Sequence, residues 1–163
     1  MKRITLLLAA LMLLCLSANA QDGKSIYQKY SDAENVSAVY ISPAMFRLIG
    51  KIPDLETGGD NKVNLTPVIR SLTGMYILNS ENTAINEQLR SEAERFIKAG
   101  KYELLLEAKD NGEAVRMYTV GNDKLINGFV MLAAENEEVT FICLDGQMPR
   151  DQFETLVAEQ LAQ

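Results

Sequence analysis

Apolar and polar positions follow two rhythms along this chain, and the change from one to the other marks its elements. Ile85, Leu89, Ala93, Phe96 and Ile97 recur at the spacing that lines one face of an α-helix. Asn79, Ser80 and Asn82 offer caps ahead of that stripe and Gly100 follows it. The pattern therefore predicts one long amphipathic helix, with Glu94 and Lys98 paired on its outer side. Ser42 followed by Pro43 opens a shorter helix that carries Met45, Phe46, Leu48 and Ile49 and closes at Gly50. Brief helices are also predicted over residues 25–30 and from Thr66-Pro67. A final helix is predicted from Pro149, with Phe153, Leu156, Val157 and Leu161 on one face.

The other rhythm is alternation. Residues 36–41 and 72–78 read as strands, the second with Gly74 marking a bulge. Residues 102–108 and 113–120 flank Asp110-Asn111-Gly112, whose Asn-Gly centre predicts a hairpin. Residues 125–134 are apolar at both alternating sets of positions, the pattern of a central strand. A turn over 135–138 leads to a strand at 139–144, ended by Asp145-Gly146. Strands joined by such short turns pair as an antiparallel meander. The expected fold is α+β: an antiparallel sheet with a C-terminal four-strand meander and helices packed mainly on one face.

Residues 51–65 interrupt this regular pattern with 15 positions rich in Gly, Asn and Asp, well beyond the usual connection of about 4–6 residues. They are expected to form the most mobile part of the domain. Binding residues concentrate on long loops, so Asp54, Glu56, Gly58, Gly59, Asp60 and Asn61 form the candidate interaction loop.

The start of the chain has a different character. Lys2 and Arg3 precede a 13-residue apolar run, and Ser17-Ala18-Asn19-Ala20 follows it. A basic start, a short apolar stretch and an A-x-A end make residues 1–20 a secretory signal peptide, cleaved after Ala20 with Ala18 at the other small position and Gln21 as the new N-terminus. The run is shorter than the roughly 20 residues a membrane span requires, and no later window approaches that length. Cys15 is preceded by Leu14, where lipoprotein processing takes a small residue, so the exported form is expected without a lipid anchor. Residues 21–163 then form a single α+β domain, long enough for one real core and too short for two ordinary domains.

Removing the leader takes Lys+Arg from 16 to 14 against 22 Asp+Glu, a net charge of −8. A surface that negative repels phosphate backbones and anionic lipid headgroups, so nucleic acid is not an expected partner. The side-chain inventory narrows the chemistry further. With 0 His and 2 Cys, one of them in the leader, the chain has no Ser/His or Cys/His nucleophile and no Cys/His zinc site. It also lacks Gly-x-Ser-x-Gly, Ser-x-x-Lys, a phosphate loop and a dinucleotide fingerprint. No catalytic, metal or cofactor-binding residue is assigned. Cys143, between Ile142 and Leu144, reads as a small buried hydrophobe, and Glu135, Glu137 and Glu138 as a solvated turn. The six tyrosines read as residues that finish the edge of a core.

Three stretches together resemble a known family. Tyr27-Gln-Lys-Tyr-Ser-Asp with Val36-Ser-Ala-Val-Tyr-Ile-Ser and Ala44-Met-Phe is similar to the opening of the secreted family of domain of unknown function 4252, from Gram-negative bacteria. Tyr102-Glu-Leu-Leu-Leu-Glu-Ala-Lys-Asp-Asn-Gly with Val115-Arg-Met-Tyr resembles its middle hairpin. Ile126-Asn-Gly-Phe-Val-Met-Leu and Val139-Thr-Phe-Ile-Cys-Leu-Asp-Gly resemble its last strand pair. The resemblance implies an envelope location, in the periplasm or outer envelope, and brings no established activity or catalytic residue. The expected function is an exported, non-enzymatic binding or accessory module whose partner is another envelope protein. A carboxylate-dependent hydrolase or a calcium-assisted carbohydrate binder is the competing expectation.

Overall fold

The computed structural model describes residues 22–51, 66–135 and 137–161, with side chains through Thr155. Along the described residues run α1 (Gly23–Tyr30), β1 (Val36–Ile41), α2 (Pro43–Ile49), α3 (Thr66–Ser71), β2 (Leu72–Ser80), α4 (Thr83–Ala99), β3 (Glu103–Asp110), β4 (Glu113–Gly121), β5 (Leu125–Glu135), β6 (Glu138–Pro149) and α5 (Arg150–Leu161).

Local chemistry sets most of these boundaries. α1 starts two residues earlier than its apolar pattern predicts because Asp22 caps it. The Asp22 carboxylate accepts the Ser25 N–H at 2.7 Å, while the Ser25 hydroxyl accepts the Asp22 N–H at 3.1 Å. Ser42 caps α2 by accepting from the Met45 N–H, and Asn82 caps α4 by accepting from the Ala84 N–H. Gly50 and Gly100 close the same two helices. At the β3–β4 turn Asn111 and Gly112 both adopt positive φ, 46° and 92°, the conformation of a two-residue hairpin that only residues tolerant of left-handed backbone enter easily.

The six strands form one sheet in the order β1-β2-β6-β5-β4-β3, every pair antiparallel. β3 to β6 are the meander, and the earlier β1–β2 pair joins it through β2 against β6. A register shift falls between Leu72 and Gly74, where a bulge was expected. β6 differs from its sequence pattern. It does not end at Asp145-Gly146 but continues to Pro149, with Met148 paired to Ile126 and Pro149 to Leu125. Gly146 is a site of close approach and not a terminator: a Cβ there would meet the Leu72 Cα at 2.8 Å.

The main core lies on one face of the sheet. Leu78, Val130, Leu132, Phe141 and Cys143 point from the central strands toward Ile26 of α1 and Leu89, Ala93, Phe96 and Ile97 of α4. Phe96 meets the Phe141 ring edge-on at 6.4 Å. This bears out the expected docking stripe of the long helix. Glu94 does not take the expected Lys98 as its partner: it reaches Arg116 of β4 at 3.9 Å, a cation the sheet brings alongside α4. A smaller cluster gathers Val68 of α3, Ile126, Met148 and Phe153 of α5, with Leu72 and Phe129 packed against it. Since Phe129 is next to core residue Val130 in the same strand, its side chain lies on the opposite face. The second cluster therefore covers only one end of that face.

Candidate functional site: a half-open sheet face with an acidic end

The strand registers align the side chains of the face away from the main core in rows across the sheet. Val39 of β1 pairs with Ile77 of β2, Ile77 with Ile142 of β6, Ile142 with Met131 of β5, Met131 with Met117 of β4, and Met117 with Leu106 of β3. One apolar residue from every strand thus forms a single line on the face away from the main core. None of the six is buried: Val39 is 48% exposed and the others are half-buried. Neighbouring strands lie about 4.8 Å apart, so the line runs about 24 Å.

Two further rows border it. On one side Ile41, Met75, Leu144 and Phe129 follow the same registers toward the small cluster under α3 and α5, where Phe129 and Phe153 meet at 5.4 Å. On the other side come Ser37, Asn79, Thr140, Ala133, Val115 and Ala108, all but Val115 small or polar. Beyond these the sheet ends in acids. Glu135 pairs with Glu138 and Asp110 with Glu113, and Glu81, Glu113, Glu135, Glu137 and Glu138 together line an open depression of about 380 Å³. Arg90 binds Glu87 at 2.7 Å, and Arg116 binds Glu107 at 2.6 Å. Glu135, Glu137 and Glu138 thus occupy the solvated turn the sequence implies. Among the described residues no group of three or more acids or thiols is arranged to hold a metal ion.

The covered face contains the remaining reactive side chains. Cys143 is fully buried against Gly23, and its thiol faces the Asp145 carboxylate at 3.7 Å. Burial first, and the Asp145 charge second, push the thiol far above its ordinary value. It stays protonated, as a core side chain rather than a nucleophile. Burial also raises Asp145. Tyr27, Tyr40 and Tyr76 gather beside this pair, with Tyr40 and Tyr76 stacked at 5.2 Å. Burial and the nearby Asp145 charge push the Tyr76 phenol up to about 12. Along the chain these tyrosines look scattered; Tyr40 and Tyr76 meet because they are register partners in β1 and β2. Tyr30 and Tyr76 go beyond the edge position expected of them, being 4% and 6% exposed.

The candidate interaction loop, Asp54, Glu56, Gly58, Gly59, Asp60 and Asn61, lies outside the described residues, as do Ala18, Ala20 and Gln21. The apolar line was missed in the sequence because double-sided hydrophobicity in β5 reads as burial between two layers. Its available signal was the matching apolar positions of β2, β4 and β6, which need the registers to align them. Among the described residues no helix is long and apolar enough to cross a membrane.

Residues 30–156, from the last residue of α1 into α5, match the family described as Domain of unknown function (DUF4252), and the chain belongs to that family. No curated protein and no solved structure matches it.

Proposed function

We propose that this member of the DUF4252 family is an exported, non-enzymatic binding module, an accessory or regulatory partner of another envelope protein. The observation that carries the reading is the line of six apolar side chains, one per strand, on a face left partly open to water. A contiguous apolar surface bordered by polar residues along one side marks a contact surface, because leaving it in water forgoes burial worth about 25 cal/mol per Å². The protonated Cys143 thiol and the raised Tyr76 phenol support a binding role over nucleophilic catalysis. The export half of the proposal rests on the basic, apolar and A-x-A segments of residues 1–20.

Two measurements test it. N-terminal sequencing of the protein recovered from the cell envelope is expected to begin at Gln21; a lipid-modified start at Cys15 would overturn that processing. A photo-crosslinking residue placed at Met131 is expected to trap one discrete envelope protein in living cells, and the same probe at exposed Lys98 is not. Equal, diffuse labelling from both positions would remove the open face as the contact surface.

A further inference from the structure

We infer that the occupant of the open face is an amphipathic helix of the partner, lying across the strands with its apolar stripe on the Val39-to-Leu106 line and a Lys/Arg flank over the acidic end. This rests on the binding-module reading above and adds the shape and charge of what binds.

Shape selects a helix. The apolar line runs across the strands for about 24 Å, the length of about 16 helical residues. Between that line and the acids lies the row Ser37, Asn79, Thr140, Ala133, Val115 and Ala108, most of whose side chains are shorter than Ile142 and Met131. A helix about 10 Å across fits between the Phe129–Phe153 cluster on one side and the carboxylates on the other. Met117 and Met131, register partners at the middle of the line, supply flexible side chains that shape themselves to a stripe of Leu or Ile.

Charge selects the flank. By strand alternation Glu113, Glu135 and Glu138 project from the same face as Val115, Ala133 and Thr140, so a docked helix faces them along one side. Lys and Arg there complement the acids and speed encounter. The same charges disfavour other occupants. An anionic lipid surface is repelled, and two copies related by an axis along the strands would bring their acidic ends together.

The experiment uses the purified exported protein and two synthetic 16-residue amphipathic peptides that share a Leu stripe, one flanked by Lys and the other by Glu. Binding is followed by the methyl NMR signals of Met117 and Met131 and by peptide circular dichroism. The Lys-flanked peptide is expected to shift both methyl signals, to become helical, and to bind at least about tenfold more tightly than the Glu-flanked one, a preference that added salt reduces. In the variant Glu135→Lys/Glu138→Lys, which changes one exposed and one half-buried position, the preference is expected to shrink or reverse, with unchanged circular dichroism confirming that the variant is folded. Equal affinity for both peptides, shifts confined to residues off the open face, or no binding by either would overturn the inference. So would a concentration-dependent dimer in sedimentation that Ile142→Lys abolishes, since the face would then belong to a second copy. A partner trapped at Met131 in cells together with failure of both peptides leaves the binding-module reading standing and removes only the helical occupant.

Discussion

The two faces of the sheet are made by alternate residues of the same strands, yet they are different surfaces. On the covered face Leu78, Val130 and Phe141 are sealed beneath α1 and α4. One step along the chain, Ile77, Met131 and Ile142 remain half-buried. Hydrophobicity does not separate the two sets. An antiparallel sheet with one solvated face ordinarily shows polar residues there, and the central line of this open face has none. The comparison teaches that apolar alternation identifies which residues share a face, while the packing of α1 and α4 decides which face becomes the core.

The largest expected effect tests the covered face. Phe141→Ala empties a fully buried site beside Phe96 and is expected to cost about 3–5 kcal/mol in equilibrium urea unfolding. A loss under about 1 kcal/mol would mean that the two faces differ less than their burial suggests.

Gly23→Ala tests how tightly α1 seats on that face. Its new Cβ would lie 2.9 Å from the Cys143 Cβ and closer still to the sulfur, forcing the helix outward. The expected cost is about 1–3 kcal/mol, read from the same unfolding curves. Adding Cys143→Ala should restore part of it by removing the sulfur. In the unmodified protein the Cys143 thiol is expected to react with an aromatic disulfide reagent only on unfolding.

Glu92 sharpens the comparison through pH. It lies on α4, 6% exposed at the side chain, and binds Lys29 of α1 and Arg95, the latter at 3.8 Å. Burial alone would raise its carboxyl, but hydrogen bonds from Lys29 and Gln88 outweigh burial and hold it below its ordinary value of 4.5. A carboxyl held low in the folded state stabilises the fold above the unfolded value, and that contribution is lost as pH falls through the folded value. Glu92→Gln is therefore expected to cost about 1 kcal/mol at neutral pH. The gap between the two proteins should close in acid, below the ordinary carboxylate range. A gap that stays constant to the acid limit would show that Glu92 contributes by packing alone.

The smallest effect belongs to the open face. Met117→Gln is expected to change stability by less than about 1 kcal/mol, because its side chain already meets water. Its consequence should appear instead as loss of the crosslinked partner. A destabilisation comparable to that of Phe141→Ala would show that the face is sealed.

Much of the fold was written locally. Ser42-Pro43, Asn82, Gly50 and Gly100 mark helix ends through hydrogen bonds within a few residues, and Asn111-Gly112 makes its turn through its own backbone preferences. The stripe from Ile85 to Ile97 placed α4 on the core because helical spacing alone puts those side chains on one face. Family membership was legible in the same way, from strand patterns spread over most of the chain. The candidate site was not. The line from Val39 to Leu106 needs five pairings, one of which brings Ile77 beside Ile142 across 64 intervening positions. Glu81 and Glu113 reach one depression by the same long-range registers. The extension of β6 past Asp145-Gly146 likewise depends on Leu125 and Ile126 waiting as partners. Caps, turns and stripes are properties of neighbouring residues, so the chain carries them openly. A row across six strands exists only once hydrogen-bonded pairing has chosen which distant residues stand side by side, and only the folded sheet makes that choice.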